Sequence, residues 1–99
     1  MNREQVIAAL REREPELKAA GVAHLFLHGS YARGTEIRGK SDVDVKAEFD
    51  RARKLSLIGR VHLENHLTDI VGVTADLSDK RMLRPEVLER AERELVLVF

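Results

Sequence analysis

The 99-residue sequence predicts a single α+β domain in which helices pack on one face of a β-sheet. Helix-like and strand-like apolar patterns follow one another in the order α, β, short α, β, α, β, α, β. Residues 42–49 alternate polar and apolar side chains, as a half-buried strand does. No internal repeat or low-complexity linker divides the sequence. Residues 1–99 are therefore expected to fold as one domain around one core.

The N-terminal region predicts two consecutive helices. Apolar residues recur near the helical period from residue 3 to about residue 14, and Asn2 precedes them as an N-cap. Pro15 fits badly inside this helix and well in the first turn of a second, short one. Gly21 is then expected to end the second helix.

The central region predicts two strands joined by a helical turn and a loop. Residues 22–28 form an apolar run without a helical stripe, bounded by glycines, which indicates a buried strand. Ser30 then begins a short helical turn. Residues 34–41 are polar and contain two glycines, so they are expected to be a loop. The alternating stretch 42–49 is the second strand.

The C-terminal half predicts a helix, a strand, a helix and a strand. Apolar residues at helical spacing cover 55–70, and Gly72 follows them as a stop signal. Residues 73–77 are predicted as the third strand. A helix over 85–93 begins with proline, which suits a first turn. The short apolar run 95–99 completes the set as a fourth strand.

Composition narrows the function classes. Hydrophobic residues make up 43% and charged residues 34% of the sequence, which is typical of a globular protein. The formal net charge is zero, so extended nucleic acid is not an expected ligand, whereas a mononucleotide remains open. Cysteine is absent, which excludes thiolate metal sites and disulfides. Without a signal-like or membrane-length apolar run, the protein is expected in the cytoplasm, away from membranes.

Two carboxylates are expected on one face of the second strand. A period of two places Asp42, Asp44 and Lys46 together, opposite the apolar positions. Like charges at this spacing repel each other unless a cation lies between them, and carboxylate oxygens suit magnesium or manganese. The alternative is structural: Asp42 caps a loop and Asp44 faces solvent.

A turn upstream strengthens the metal interpretation. Gly29 and Ser30 follow a buried strand and begin a helix, so free backbone N–H groups and a hydroxyl point to one place, as in anion sites. Gly-Ser pairs alone also occur in ordinary turns. Their position shortly before Asp42 and Asp44 makes the combination informative.

The sequence resembles the minimal nucleotidyltransferases, the MNT family of the DNA polymerase beta superfamily. The similarity is carried by 29–34 (GSYARG) and 41–44 (SDVD), with further likeness at 75–77 and 93–96. Members of this family are often antitoxins encoded beside a HEPN ribonuclease toxin. The resemblance implies a polymerase-beta-like nucleotidyltransferase fold, with helices on one face of a small mixed sheet.

The resemblance also implies roles for individual residues. Gly29 and Ser30 are expected to hold a nucleoside triphosphate, while Asp42 and Asp44 bind Mg²⁺, with Mn²⁺ as the alternative ion. A third metal-binding carboxylate is expected from the next long strand.

Asp76 and Asp69 compete for the third position. Asp76 is preferred because it lies within the predicted strand 73–77, where the family has its acid, whereas Asp69 lies near the end of a predicted helix. Asp42, Asp44 and Asp76 are therefore the expected catalytic and metal-binding set, and Asp76 is a candidate acceptor of the proton from the attacking hydroxyl.

The expected function is nucleotidyl transfer. The resemblance implies an enzyme that uses ATP and magnesium to AMPylate a protein hydroxyl, and that neutralises a cognate HEPN toxin as its antitoxin. The alternative is an inactive or weakly active antitoxin that neutralises its partner by binding alone.

Several basic residues have open roles. Lys46 shares the carboxylate face where the family pattern suggests an apolar residue, so we hypothesise that it tunes metal affinity; a lysine at the sheet edge is the alternative. Arg33 stands one turn above Ser30 and is expected to reach a phosphate, or to pair with a nearby acid such as Glu36. Lys80 and Arg81 could contact the triphosphate or remain solvated.

The four histidines and a further aspartate are expected to be structural. His62 and His66 have the helical spacing of a zinc pair but lack the His-Glu-x-x-His pattern. His24 and His28 are expected to pack or to hydrogen-bond to backbone. Asp50 shares parity with the strand acids but lies about 20 Å along the strand at ~3.3 Å per residue, too far to join them.

Overall fold

The computed structural model describes residues 1–37, 40–52 and 55–99. Residues 38 and 39 of the predicted loop lie outside these ranges. The helices are α1 (Arg3–Glu12), α2 (Glu14–Ala19), α3 (Gly29–Arg33), α4 (Leu57–Val71) and α5 (Pro85–Glu94), and a 3₁₀ turn spans Lys80–Met82. The strands are β1 (Val22–His28), β2 (Val43–Phe49), β3 (Ala75–Asp79) and β4 (Val96–Leu97). None of the helices in the described ranges is long and apolar enough to cross a membrane.

The four strands form one mixed sheet in the order β3-β2-β1-β4. β1 pairs antiparallel with both β2 and β4. β2 and β3 run parallel, and α4 provides the crossover that a parallel pair requires. The predicted α+β class and order of elements are confirmed.

The main core lies between one face of the sheet and helices α1, α2 and α4. Alternation along β1, β2 and β3 directs their apolar side chains to this face, where the helical stripes meet them. The buried cluster includes Val6, Leu10, Leu17, Leu25, Leu27, Val43, Val45, Leu63, Leu67 and Leu77.

The opposite face, called the polar face below, carries Phe26, His28, Asp44, Lys46, Asp76 and Ser78. Helix α5 makes contact with this side of the molecule. Its Glu94 lies 3.4 Å from His28 Nε2, and its Glu92 lies 3.7 Å from Lys80 Nζ. Lys80 Nζ in turn lies 4.6 Å from the centre of the Phe26 ring, a cation–π distance.

The first helix ends earlier than predicted. α1 stops at Glu12, where the amide of Arg13 bonds back to the Leu10 carbonyl at 3.1 Å, and α2 begins at Glu14. Pro15 occupies the first turn of α2, where its missing N–H needs no partner. Gly21, with a φ of 107°, follows the helix as predicted.

Two strand boundaries were also predicted wrongly. The third strand covers Ala75–Asp79 and not 73–77, because its parallel register with β2 begins at Val43↔Ala75 and continues to Ala47↔Asp79. The fourth is restricted to Val96–Leu97. The residues after it bond irregularly to Leu25 and do not continue the ladder.

Candidate active site

Two of the predicted carboxylates face each other across neighbouring strands. Asp44 is the second residue of β2 and pairs in register with Asp76 of β3. Both alternate with buried apolar residues, so both project from the polar face. The parallel pairing therefore brings together two acids that are far apart in sequence.

Asp44 is held on both of its oxygens. Oδ1 accepts a hydrogen bond from Lys46 Nζ at 2.7 Å, and Oδ2 lies 3.2 Å from His28 Nδ1. His28 also lies 3.4 Å from Glu94 of α5 through its Nε2. The chain Lys46–Asp44–His28–Glu94 thus fixes the orientation of this carboxylate.

Lys46 is buried, with 8% of its surface exposed. No other charged residue in the described ranges is buried to this extent. The Lys46 ammonium bonds to Asp44 and lies 3.5 Å from Ser78 Oγ, on the strand position opposite. A buried ammonium is costly without a counter-ion, so the pairing with Asp44 compensates its desolvation.

The other two acids are open. Asp42 lies just before β2 and is exposed, as is Asp76. Neither side chain has a hydrogen-bond or ion-pair partner within the described parts of the chain. These carboxylates can accept a ligand without breaking an existing contact.

The donor set suits a hard divalent cation, since Asp44 and Asp76 offer oxygens from paired positions of one sheet face and Asp42 lies just before β2. Their side chains are not gathered, however: over the described ranges no three acidic, His or Cys side chains are arranged to hold a metal. Lys46 also bonds to one oxygen of Asp44. The residue types fit magnesium in their chemistry, and binding would require these side chains to rearrange.

Gly29 places backbone directly against Asp44. Its φ of +70° lies in the left-handed region, and a Cβ at this position would lie 3.4 Å from Asp44 Cβ and 3.5 Å from Oδ2. The absence of a side chain keeps this approach to the carboxylate open. The sharp turn from β1 into α3 thus sets the helix start beside the acids.

Ser30 and Arg33 lie on α3, which follows that turn. Among the residues that the structure describes, no side chain caps the start of α3. Arg33, with half of its side chain exposed, lies 3.7 Å from Glu94 and does not pair with Glu36. The Glu94 carboxylate therefore lies within ion-pair distance of both Arg33 and His28.

His28 was missed by the sequence analysis, which expected packing or a backbone bond. Antiparallel pairing sets it directly opposite Asp44. The available signal was its position immediately before Gly29, at the end of a strand that enters the site.

The remaining candidates do not contact Asp44. Asp69 is exposed on α4 and is not on the polar face. Lys80 pairs with Glu48 at 3.0 Å. Arg81 donates to the Phe49 carbonyl at 2.7 Å, at the far end of β2 from Asp44.

The other histidines and Asp50 lie away from the candidate site. His24 and His62 are exposed. His66 joins α4 to α2 through Glu16, and this hydrogen bond lowers the pKa of the Glu16 carboxyl below its ordinary value. Asp50 accepts from the Ala52 amide in the turn after β2.

The sequence is similar to those of known nucleotidyltransferases. Residues 3–98 match the family model described as a nucleotidyltransferase domain. The chain belongs to this family. Protein adenylyltransferase MntA of Thermococcus cleftensis is 32% identical over 96 residues, covering 96% of this chain and 94% of the relative. A Methanocaldococcus jannaschii protein, MJ1379, provisionally named a protein adenylyltransferase, is 35% identical and covers 78% of this chain and 77% of its own length.

Solved structures of this family agree with the fold. One that is provisionally described as a minimal nucleotidyltransferase has a TM-score of 0.77 and 33% identity, covering 97% of this chain and 95% of its own. A toxin–antitoxin structure with AMP-PNP has a TM-score of 0.69 and 25% identity, covering all of this chain (100%) and 73% of its own. The resemblance to minimal nucleotidyltransferases and the polymerase-beta-like fold are confirmed.

Proposed function

We propose that this nucleotidyltransferase uses Mg²⁺ to move AMP from ATP to a hydroxyl group of a protein. The observation that carries the proposal is the register of the sheet, which sets Asp44 opposite Asp76 with the Gly29 backbone against Asp44. The adenylyltransferase names of the relatives support a protein acceptor, and the AMP-PNP complex of the structural neighbour supports an adenine nucleotide.

Each predicted residue has a role in this proposal. Asp42, Asp44 and Asp76 would hold the metal, and Gly29 and Ser30 would bind the triphosphate. Mg²⁺, when bound, supplies positive charge that stabilises the reacting phosphates. Most of the catalysis would come from orienting ATP and the acceptor hydroxyl beside these residues, because phosphoryl transfer needs little covalent participation by the protein.

At the α-phosphorus the transfer forms one bond and breaks one, and one proton moves. The acceptor oxygen attacks the α-phosphorus, the bond to pyrophosphate breaks, and the hydroxyl proton passes to the Asp76 carboxylate. Asp76 suits this role because it is exposed and its side chain has no partner over the described ranges. Arg33, half exposed near the start of α3, would steady the triphosphate after leaving Glu94.

The proposed partner is a HEPN-type toxin in the cytoplasm. This part rests on the family resemblance of residues 29–34 and 41–44, and the toxin–antitoxin neighbour supports it. AMPylation of the toxin would neutralise it, which makes this chain an antitoxin.

Label transfer from α-labelled ATP tests the proposal. The purified chain is incubated with Mg²⁺ and a candidate HEPN protein, and label on the partner is measured. Asp44→Asn and Asp76→Asn are expected to lose transfer by at least about a hundredfold, since each removes charge from the reacting centre. Asp69→Asn is the matched control, because Asp69 is an exposed aspartate on α4. Equal transfer by all three variants would remove the assignment of the site.

A second function is favoured by one observation. Lys46 already neutralises Asp44 at 2.7 Å, as it would in a chain that no longer binds metal and inhibits its toxin by covering it. This alternative predicts that Asp44→Asn neutralises the toxin as well as the unaltered chain does. The enzymatic proposal predicts that neutralisation is lost together with label transfer.

A further inference from the structure

The charge balance of the polar face depends on one internal cation. Lys46 is buried, its Nζ lies 2.7 Å from Asp44 Oδ1, and the Ser78 hydroxyl lies 3.5 Å away on the other side. An ammonium this well enclosed remains in place only while its carboxylate partner compensates its desolvation. The pair is therefore a defined state of the site and not a loose surface contact.

The same carboxylate is the central donor of the proposed metal site. Asp44 has two oxygens, and His28 already lies at the second, 3.2 Å away. A divalent cation that takes a ligand from Asp44 must displace one of these neighbours or share an oxygen with it. Two cations close to one carboxylate also repel each other, so binding of one weakens binding of the other.

We propose that Lys46 is an exchangeable internal cation: it balances Asp44 when no metal is bound, and a divalent cation enters by displacing its ammonium from Oδ1. This inference rests on the proposed metal role of Asp44. Ser78 is positioned to receive the released ammonium, because it faces Lys46 across the parallel strands. Lys46 would thus set the metal concentration at which the site fills.

Lys80 provides a matched control. It is another lysine near the polar face, but its partners are Glu48 at 3.0 Å and Glu92 at 3.7 Å. Replacing either lysine by methionine removes one positive charge and keeps a long side chain. Only the change at Lys46 frees an oxygen of Asp44.

Mn²⁺ binding, followed by electron paramagnetic resonance of the free ion, tests the exchange without any turnover. Lys46→Met is expected to bind Mn²⁺ about tenfold more tightly than the unaltered chain, a difference of ~1.4 kcal/mol. Lys80→Met is expected to bind within about twofold of it, because the Lys80 ammonium is paired with Glu48 and Glu92 and not with Asp44. An unchanged or weaker affinity in Lys46→Met would overturn the proposal, as would an equal gain in Lys80→Met.

Thermal unfolding without metal provides a second readout. Lys46→Met is expected to lower Tm because it leaves Asp44 uncompensated, and Asp44→Asn/Lys46→Met to recover part of the loss. Saturating Mn²⁺ should raise Tm more in Lys46→Met than in the unaltered chain. Strictly additive effects in the cycle would contradict the pairing. Lys46→Gln, which keeps a polar group between Asp44 and Ser78, replaces the methionine variant if that does not fold.

Asp44→Asn distinguishes failure of the proposed metal site from failure of the proposed exchange. If it leaves Mn²⁺ affinity unchanged, the proposed metal site is wrong and the exchange is overturned with it. If it weakens Mn²⁺ binding while Lys46→Met does not strengthen it, the metal site stands and only the exchange is overturned.

Discussion

Alanine at Gly29, compared with alanine at Gly34, separates backbone strain from disturbance of the site. Gly29 begins α3 and Gly34 follows its last residue, with φ of +70° and +73°. A side chain in this left-handed region costs roughly 1–2 kcal/mol, part of which is offset by lower entropy of the unfolded chain. Each variant is therefore expected to lose about 1 kcal/mol, a fall in Tm of roughly 4–8 °C for a domain of this size.

The surroundings of the two methyl groups differ. At Gly29 the new Cβ would lie 3.4 Å from Asp44 Cβ, an ordinary van der Waals contact, whereas at Gly34 no atom of the described residues lies within 4 Å of the new Cβ. Contact at this distance adds no clash, so the two stabilities should agree within about 0.5 kcal/mol. The methyl at Gly29 nevertheless fills the approach to Asp44, and label transfer should fall by at least about tenfold in that variant alone.

Urea unfolding gives the stabilities, and transfer from α-labelled ATP at saturating Mg²⁺ gives the activities. Comparable losses of transfer in both alanine variants would refute the role of the Gly29 approach, because strain alone would then explain the effect. Full stability of Gly29→Ala would refute the strain argument and the left-handed backbone on which it depends.

Two further predictions concern stability. Leu67→Ala removes a core side chain that is 1% exposed and should lower the free energy of unfolding in urea by roughly 2–5 kcal/mol. Leu57→Ala, at a position 79% exposed, should change it by less than about 0.5 kcal/mol. Similar losses in both variants would contradict the placement of Leu67 in the core. The lowered pKa of Glu16 means that its stabilising effect is present above the ordinary value of 4.5 and is lost as pH falls through the lowered pKa. Glu16→Gln should therefore flatten this acid part of the stability profile in urea unfolding, and an unchanged slope would contradict the His66 contact.

Local patterns predicted the elements well where periodicity and capping agree. The alternation of β2 and the apolar run of β1 identify strands that the structure confirms. The bounds of β3 were wrong by two residues because pairing with β2 determines them, and apolar periodicity does not encode pairing. The first helix was predicted too long, since the turn at Arg13 carries no glycine to mark it.

The contacts among the candidate site residues were only partly predictable from the sequence. Strand parity was enough to expect Lys46 beside Asp44, and the structure has them in contact. Parity within one strand says nothing about its neighbour, so the contact of His28 with Asp44 was not foreseen. The position of Asp76 opposite Asp44 likewise depends on strand order, which no local pattern contains.

The parallel register of β2 and β3 has a consequence for the order of folding. Lys46 and Ser78, like Asp44 and Asp76, are 32 positions apart in the chain, so we expect their pairing to follow the formation of α4. Hairpin-like contacts between β1 and β2 can form earlier, because they close a shorter loop. The acids therefore assemble late, and during refolding the recovery of metal binding should lag behind the recovery of helical signal.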